Sequence, residues 1–165
     1  MYYKVLNKEM NHNGYQYKLD EKNDLDKEFD KSSKICSDGG LYFTDLENIY
    51  KFFRFGDNIV EVEIPEYDSK GNEVKMVKDG NKWRSSCIIV KSPMKTKKEM
   101  EPIILEYIKN NKSNIKMDDA ARNGHLEVLK YLHEIGKECT IDAMILAEKY
   151  GHTETVEYIR NNIEK

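Results

Sequence analysis

Residues 120–136 read AARNGHLEVLKYLHEIG, and from 27 positions further on, residues 147–162 read AEKYGHTETVEYIRNN. The small residue, the Gly-His pair and the tyrosine fall in the same places. A third fragment, EYIKNN at 106–111, nearly duplicates EYIRNN at 157–162, so the pattern occurs about two and a half times. A chain that repeats itself at this period builds stacked helix pairs, because one pair cannot cover its own apolar face and the next copy must do so. Val128, Leu129 and Leu132 make one such face, and Val156 and Ile159 occupy equivalent places in the second copy. Ala120 and Ala147 allow a short helix to lie close to its partner, and Gly124 and Gly151 suit a left-handed helix end, each followed by a histidine, His125 and His152.

Ahead of the repeats the period changes from 3.6 to two. YYKVLN (2–7) and YQYKLD (15–20) read as a pair of strands joined by the turn-rich KEMNHNG, and 21–38 reads as a loop anchored by Leu25, Phe29 and Ile35. In GGLYFTDLENIYKFFRFGD (39–57), Leu41 and Phe43 alternate as in a strand. Thr44 and Glu47 then form a capping box, Leu46, Ile49, Tyr50 and Phe53 form one apolar helical stripe, and Gly56 stands at the C-terminal end. NIVEVEIP (58–65) reads as a half-buried strand ended by Pro65. SKGNEVKMVKDGNKWRSSCIIVKSP (69–93) carries two turn signals and a last strand near Cys87–Val90. The basic, Pro-interrupted KSPMKTKKE (91–99) is the candidate junction.

Composition narrows the function. The 165 residues are 39% hydrophobic and 35% charged with a net charge of −3, which gives no electrostatic basis for binding nucleic acid. Cys36, Cys87 and Cys139 are far apart and lack the Cys-x-x-Cys spacing of a metal site, the pattern of reduced intracellular thiols. No apolar run reaches the length of a membrane span and the N-terminus lacks the pattern of a signal peptide, so a cytoplasmic protein is expected.

AARNGHLEVLKYLHEIG resembles the inner-helix end, Gly-His turn and outer helix of the ankyrin repeat, and AEKYGHTETVEYIRNN is a looser copy. With the Lys, Asn, Ile and Tyr-rich composition, the wording is similar to that of the ankyrin-repeat proteins of mimivirus-type giant DNA viruses, some of which join a GGLYFTDLENI-like segment to C-terminal repeats. The spacing departs from the family: ankyrin repeats span about 33 residues with a projecting hairpin, whereas the tyrosines here recur after 24 and then 27 residues. The resemblance implies a truncated array of about five short helices and a viral accessory or host-interaction role.

GGLYFTDLENIYKFF also resembles the Gly-Ile-Tyr-Phe strand and helix of poly-ADP-ribosyltransferases, in which a tyrosine stacks on nicotinamide; Tyr50 is the nearest counterpart. That fold also uses a His or Arg on an early strand, where this chain offers Lys4, and Glu61 follows the helix too soon to be the late catalytic glutamate. A strand and amphipathic helix with Tyr50 in the core explains the same letters. Glu61 and Glu63 read as the wet side of a strand, Lys95, Lys97 and Lys98 as a soluble linker, and His125 and His152 as histidines bonded to local backbone.

The expected fold class is therefore an α+β N-terminal domain, residues 1–93, followed by a short all-α ankyrin-like repeat array, residues 94–165. The expected function is non-catalytic protein–protein recognition, with Asp119, Arg122, Asn123, Lys149 and Tyr150 at the inner-helix ends as the partner-binding residues. A degenerate ADP-ribosyltransferase-like or nucleotide-binding N-terminal domain, targeted by the repeats, is the alternative. No catalytic residue, cofactor or metal is expected; the partner is an unidentified protein, with neither nucleic acid nor membrane, and the chain is a monomer or weak homodimer. Its place is the host cytoplasm, with the virion as the other location.

Overall fold

Among the described residues there are nine strands: β1 (Tyr2–Leu6), β2 (Asn11–His12), β3 (Tyr15–Gln16), β4 (Lys22–Asp24), β5 (Leu41–Asp45), β6 (Asn58–Glu63), β7 (Met76–Asp79), β8 (Lys82–Ser85) and β9 (Cys87–Lys95). A 3-10 helix, Leu46–Phe55, follows β5. The computed structural model describes residues 1–32 and 37–163. Ile35 and Cys36 lie outside them. By its internal contacts the chain divides into two units, Met1–Thr96 and Lys97–Lys165.

In the first unit seven strands form one antiparallel sheet in the order β4-β9-β6-β1-β5-β8-β7, and β2 and β3 form a separate hairpin. One face carries Leu6, Leu41, Phe43, Val60, Val62, Ile88 and Val90, covered by Tyr17 with Met10, Tyr15, Leu19 and Leu25 from the 7–25 segment. Each large apolar side chain fully buried here contributes roughly 1.5–3 kcal/mol. β1 does not pair with the 15–20 run, as its sequence suggested. Tyr2–Leu6 lies between β5 and β6, and Tyr15–Gln16 turns back on Asn11–His12. The 21–38 loop contains β4, which pairs with β9.

The strand and helix over 39–57 form as their pattern predicts, with Leu46, Ile49, Tyr50 and Phe53 buried. The winding is 3-10 rather than α, and the N-cap is Asp45, whose Oδ1 accepts the Asn48 amide at 3.1 Å. Gly56 is fixed by close approach: a Cβ there would lie 2.0 Å from the Leu6 carbonyl oxygen.

The second unit contains α1 (Lys97–Asn110), α2 (Met117–Arg122), α3 (Leu126–Glu134), α4 (Ile141–Lys149) and α5 (Thr153–Asn162). α1 continues through Pro102 and packs on α3, α2 packs on α3 and α4, and α4 packs on α5. Gly124 and Gly151 take the left-handed φ values of 67° and 76° that end α2 and α4.

The expected fold class is corrected by this architecture. The chain is a seven-stranded antiparallel sheet with a few helices at its C-terminal end, and it is not an α+β domain followed by a helical ankyrin-like array. A self-supporting array needs about three or more repeats. Among the described residues α2–α3 and α4–α5 are the two consecutive inner–outer pairs, α1 has no inner helix before it, and no strand occurs after Lys95.

Candidate functional site

The β1–β5 ladder consists of two residue pairs, Tyr2 with Asp45 and Tyr3 with Thr44. Beyond them the strands separate, and a cavity of about 840 Å³ opens beside the seam. The Lys4 side chain, only 2% exposed, lies at its floor. Its Nζ donates to the Tyr42 carbonyl at 2.5 Å, taking up an acceptor beyond the end of the ladder, and stands 4.5 Å from the Tyr17 ring centre.

Three local structures bring other side chains to the same space. The β2–β3 hairpin turns at Asn13 and Gly14, with φ of 52° and 78°, and sets His12 on the cavity wall. Asn-Gly between short polar and aromatic runs is the sequence signal that could have located this hairpin. The end of the 3-10 helix supplies Phe52 and Phe55, stacked at 6.2 Å, with the His12 ring 5.1 Å from Phe55. The β7–β8 turn at Gly80 supplies Lys82, whose Nζ lies 4.1 Å from the centre of the Tyr42 ring.

The cavity is electrostatically uneven. Burial lowers the Lys4 pKa to about 7. Burial first, and then the charges of Lys4 and Lys82, lower that of His12 to about 4. Burial pushes the phenols of Tyr17 and Tyr42 up. Among the lining carboxylates, Asp79 is held by Arg84 at 3.1 Å, with both side chains 1% exposed. The lining carries Asp26 and Asp38 as well, but cations outnumber carboxylates, with Lys27, Lys51, Arg54 and Lys82 beside Lys4.

Tyr50 is not part of the cavity. It is 8% exposed and packs edge-on against Phe53 at 5.4 Å, so the residue matched to the transferase tyrosine fills core. Lys4, set aside in the sequence because it replaces that family's His or Arg, is the strand residue that reaches the cavity. Glu61 and Glu63 do not act together as a carboxylate pair: Glu61 pairs with Lys95 at 3.1 Å and Glu63 with Lys91 at 3.7 Å. Such partly exposed pairs contribute at most about 1 kcal/mol.

In the helical unit, His125 and His152 bond to backbone far away in sequence rather than local backbone. His125 Nε2 lies 2.8 Å from the Lys97 carbonyl oxygen and His152 Nε2 lies 3.1 Å from that of Arg122. Burial lowers the His125 pKa to about 4, which suits a neutral ring donating to a carbonyl. His133 lies 3.0 Å from the Tyr158 hydroxyl through Nδ1. Gly124 is needed twice over, since its φ is positive and a Cβ there would lie 2.4 Å from His152 Nδ1. Gly124→Ala is expected to destabilise the helical unit by about 1–3 kcal/mol, read as an earlier loss of helical circular dichroism on heating; an unchanged midpoint would show that the turn tolerates the methyl group.

The residues selected for partner binding fall mostly at one end of neighbouring helices. Arg122 closes α2 with Asn123 after it, Lys149 closes α4 with Tyr150 after it, and the His152–Arg122 bond ties the two ends together. Asn123 Nδ2 donates to the Asp119 carbonyl at 2.8 Å, one turn back on α2. Arg122, Lys149 and Tyr150 are exposed; Asp119 and Asn123 are half-buried. Among the described residues no three His, Cys, Asp or Glu side chains gather as a metal site, and no helix is long and apolar enough to cross a membrane.

A protein of Acanthamoeba polyphaga mimivirus named "Putative ankyrin repeat protein" is 31% identical over 172 residues, covering 99% of this chain and 83% of its own length. The chain belongs to the mimivirus ankyrin-repeat protein family. A second member of that name from the same virus is 29% identical over 81% of this chain and 41% of its own length, and a third is 43% identical over 33% and 19%. The first match runs through the sheet unit as well as the helices, so family membership is not carried by the Gly-His repeats alone. No protein-family model and no solved structure matches the chain. Ankyrin-repeat proteins are in general protein-interaction modules, and that is the level of function the family name conveys.

Proposed function

We propose that this member of the family is a non-catalytic protein-recognition module, a viral accessory or host-interaction protein acting in the host cytoplasm. The observation that supports this reading most is α4. It buries only the small Ala143 and Ala147 and turns outward Ile141, 73% exposed, and Ile145, 52% exposed, with Tyr150, 51% exposed, just past its end. With Met144 and Leu146 half-buried, the two outward isoleucines and Tyr150 leave apolar surface on this helix that suits a partner. Arg122 and Tyr150 are residue types that often dominate interface energies, and Lys149, Asn123 and Asp119 supply a polar rim. The apolar residues of α5 are not available in the same way, because Val156 and Ile159 are buried.

The test is affinity capture from host lysate with the tagged intact chain, beside an Arg122→Glu/Tyr150→Ala double variant shown to be folded by circular dichroism. A partner retained by the intact chain and reduced at least tenfold with the double variant is the expected result. Equal capture would move the interface away from these helix ends. Failure to retain any partner would overturn the recognition reading.

A further inference from the structure

The seam cavity suits a second, different kind of ligand, independent of the helical surface. Its volume of about 840 Å³ is within the roughly 300–1,000 Å³ of small-molecule sites. The Lys4 amine, buried at 2% exposure, has for partners the Tyr42 carbonyl and the Tyr17 ring, and no carboxylate among the described residues pairs with it. An amine kept from water with so little compensation costs folding free energy, and a buried titratable group in a cleft is a candidate functional group. Lys82 lies over the ring of the same Tyr42 whose carbonyl holds Lys4, and His12 feels both charges. These three basic groups therefore converge on one region. On the far side of His12, the rings of Phe52 and Phe55 lie within 24° of parallel. Although Asp26 and Asp38 also line the cavity, basic side chains outnumber acidic ones there, and the two phenylalanine rings add a flat apolar surface.

We propose that this cavity binds a mononucleotide, with the phosphate directed to Lys4 and Lys82 and the base laid against the His12, Phe52 and Phe55 wall. A phosphate fits the charged end better than a carboxylate does, because its second negative charge and third oxygen meet a second amine. Aromatic walls accept any base by stacking, so this chemistry defines the class of ligand and not the base.

The test is isothermal titration of the intact chain with adenosine monophosphate, adenosine and inorganic phosphate, repeated on Lys4→Met, Lys82→Ala and Phe55→Ala variants whose fold is verified by circular dichroism. Adenosine monophosphate should bind at least tenfold more tightly than either adenosine or phosphate. Lys4→Met should weaken it by about tenfold or more, the loss of one charge-assisted hydrogen bond. Lys82→Ala should weaken the nucleotide and leave adenosine unchanged, whereas Phe55→Ala should weaken both. Absence of nucleotide binding, phosphate binding as tightly as the nucleotide, or equal affinity in folded Lys4→Met would each overturn the assignment. Lys4→Gln, which keeps a donor to the Tyr42 carbonyl, replaces Lys4→Met if that variant does not fold.

Discussion

Replacing Arg84 by methionine is expected to destabilise the sheet unit by about 3–5 kcal/mol, the usual consequence of removing one partner of a buried ion pair. Arg84 is 1% exposed. Its guanidinium pairs with Asp79 at 3.1 Å, donates to the Asp30 carbonyl at 3.2 Å, and also donates to the Ser32 carbonyl. Methionine fills much of the same volume, so the loss is electrostatic: the Asp79 carboxylate remains buried without the Arg84 cation, and the 30–32 segment loses its anchor. The single tryptophan, Trp83, stands next in sequence and reports unfolding of this unit by fluorescence during denaturant titration. An Arg84→Met/Asp79→Leu double variant should regain much of the loss, because it buries no charge. A loss below about 1 kcal/mol in the single variant would show that the pair is open to water.

Lys4 should make the sheet unit more stable as the solution becomes more alkaline. Its pKa is lowered by burial from 10.5 to about 7. Between those values the unfolded chain holds a proton that the folded chain has released, so stability rises with pH across the window; below about 7 both states are protonated and the cost of the buried charge is constant. At about 1.4 kcal/mol per pKa unit, the intact chain should gain about 3 kcal/mol relative to Lys4→Met between pH 7 and 9.5. The comparison with the variant removes the contributions of other groups. Burial lowers His12 to about 4, which raises stability with pH in the acid range, and burial raises Tyr3 to about 12, which acts in the opposite sense above pH 10. A difference between the two chains that stays constant with pH would mean that Lys4 remains hydrated and charged in the folded state.

Local patterns in the sequence were informative and distant pairings were not. Leu46, Ile49, Tyr50 and Phe53 declared their stripe because the core faces one side of a single element, and Gly124 and Gly151 marked helix ends because their backbone angles are local matters. The place of β1 between β5 and β6 left no such trace. Tyr2 meets Val62 and Asp45 across spans that no periodicity encodes. The Gly-His repeats point to a helical array, while the sheet, with β1 inside it and β4 in the 21–38 segment, has no comparable local signature. Glu47, three residues on, points to Thr44 as the cap, but it is Asp45, one step later, whose carboxylate accepts the Asn48 amide. The cavity was the least legible feature. In YYKVLN the alternation sets Lys4 on the face of Leu6, where a lysine is out of place in an apolar pattern, and the Tyr42 carbonyl that holds its amine lies beyond the two pairs of the β1–β5 ladder.

The sheet ends in strands too short to recruit more. β4 has three residues and β7 has four, and β9, where it continues past β4, carries Pro93, which has no amide hydrogen to offer. Where many copies of the chain accumulate together, these blunt margins keep one molecule's sheet from templating the next. Growth into fibrils through β-pairing is disfavoured by the margins themselves, and the extended interior can be rich in valine and isoleucine without that hazard.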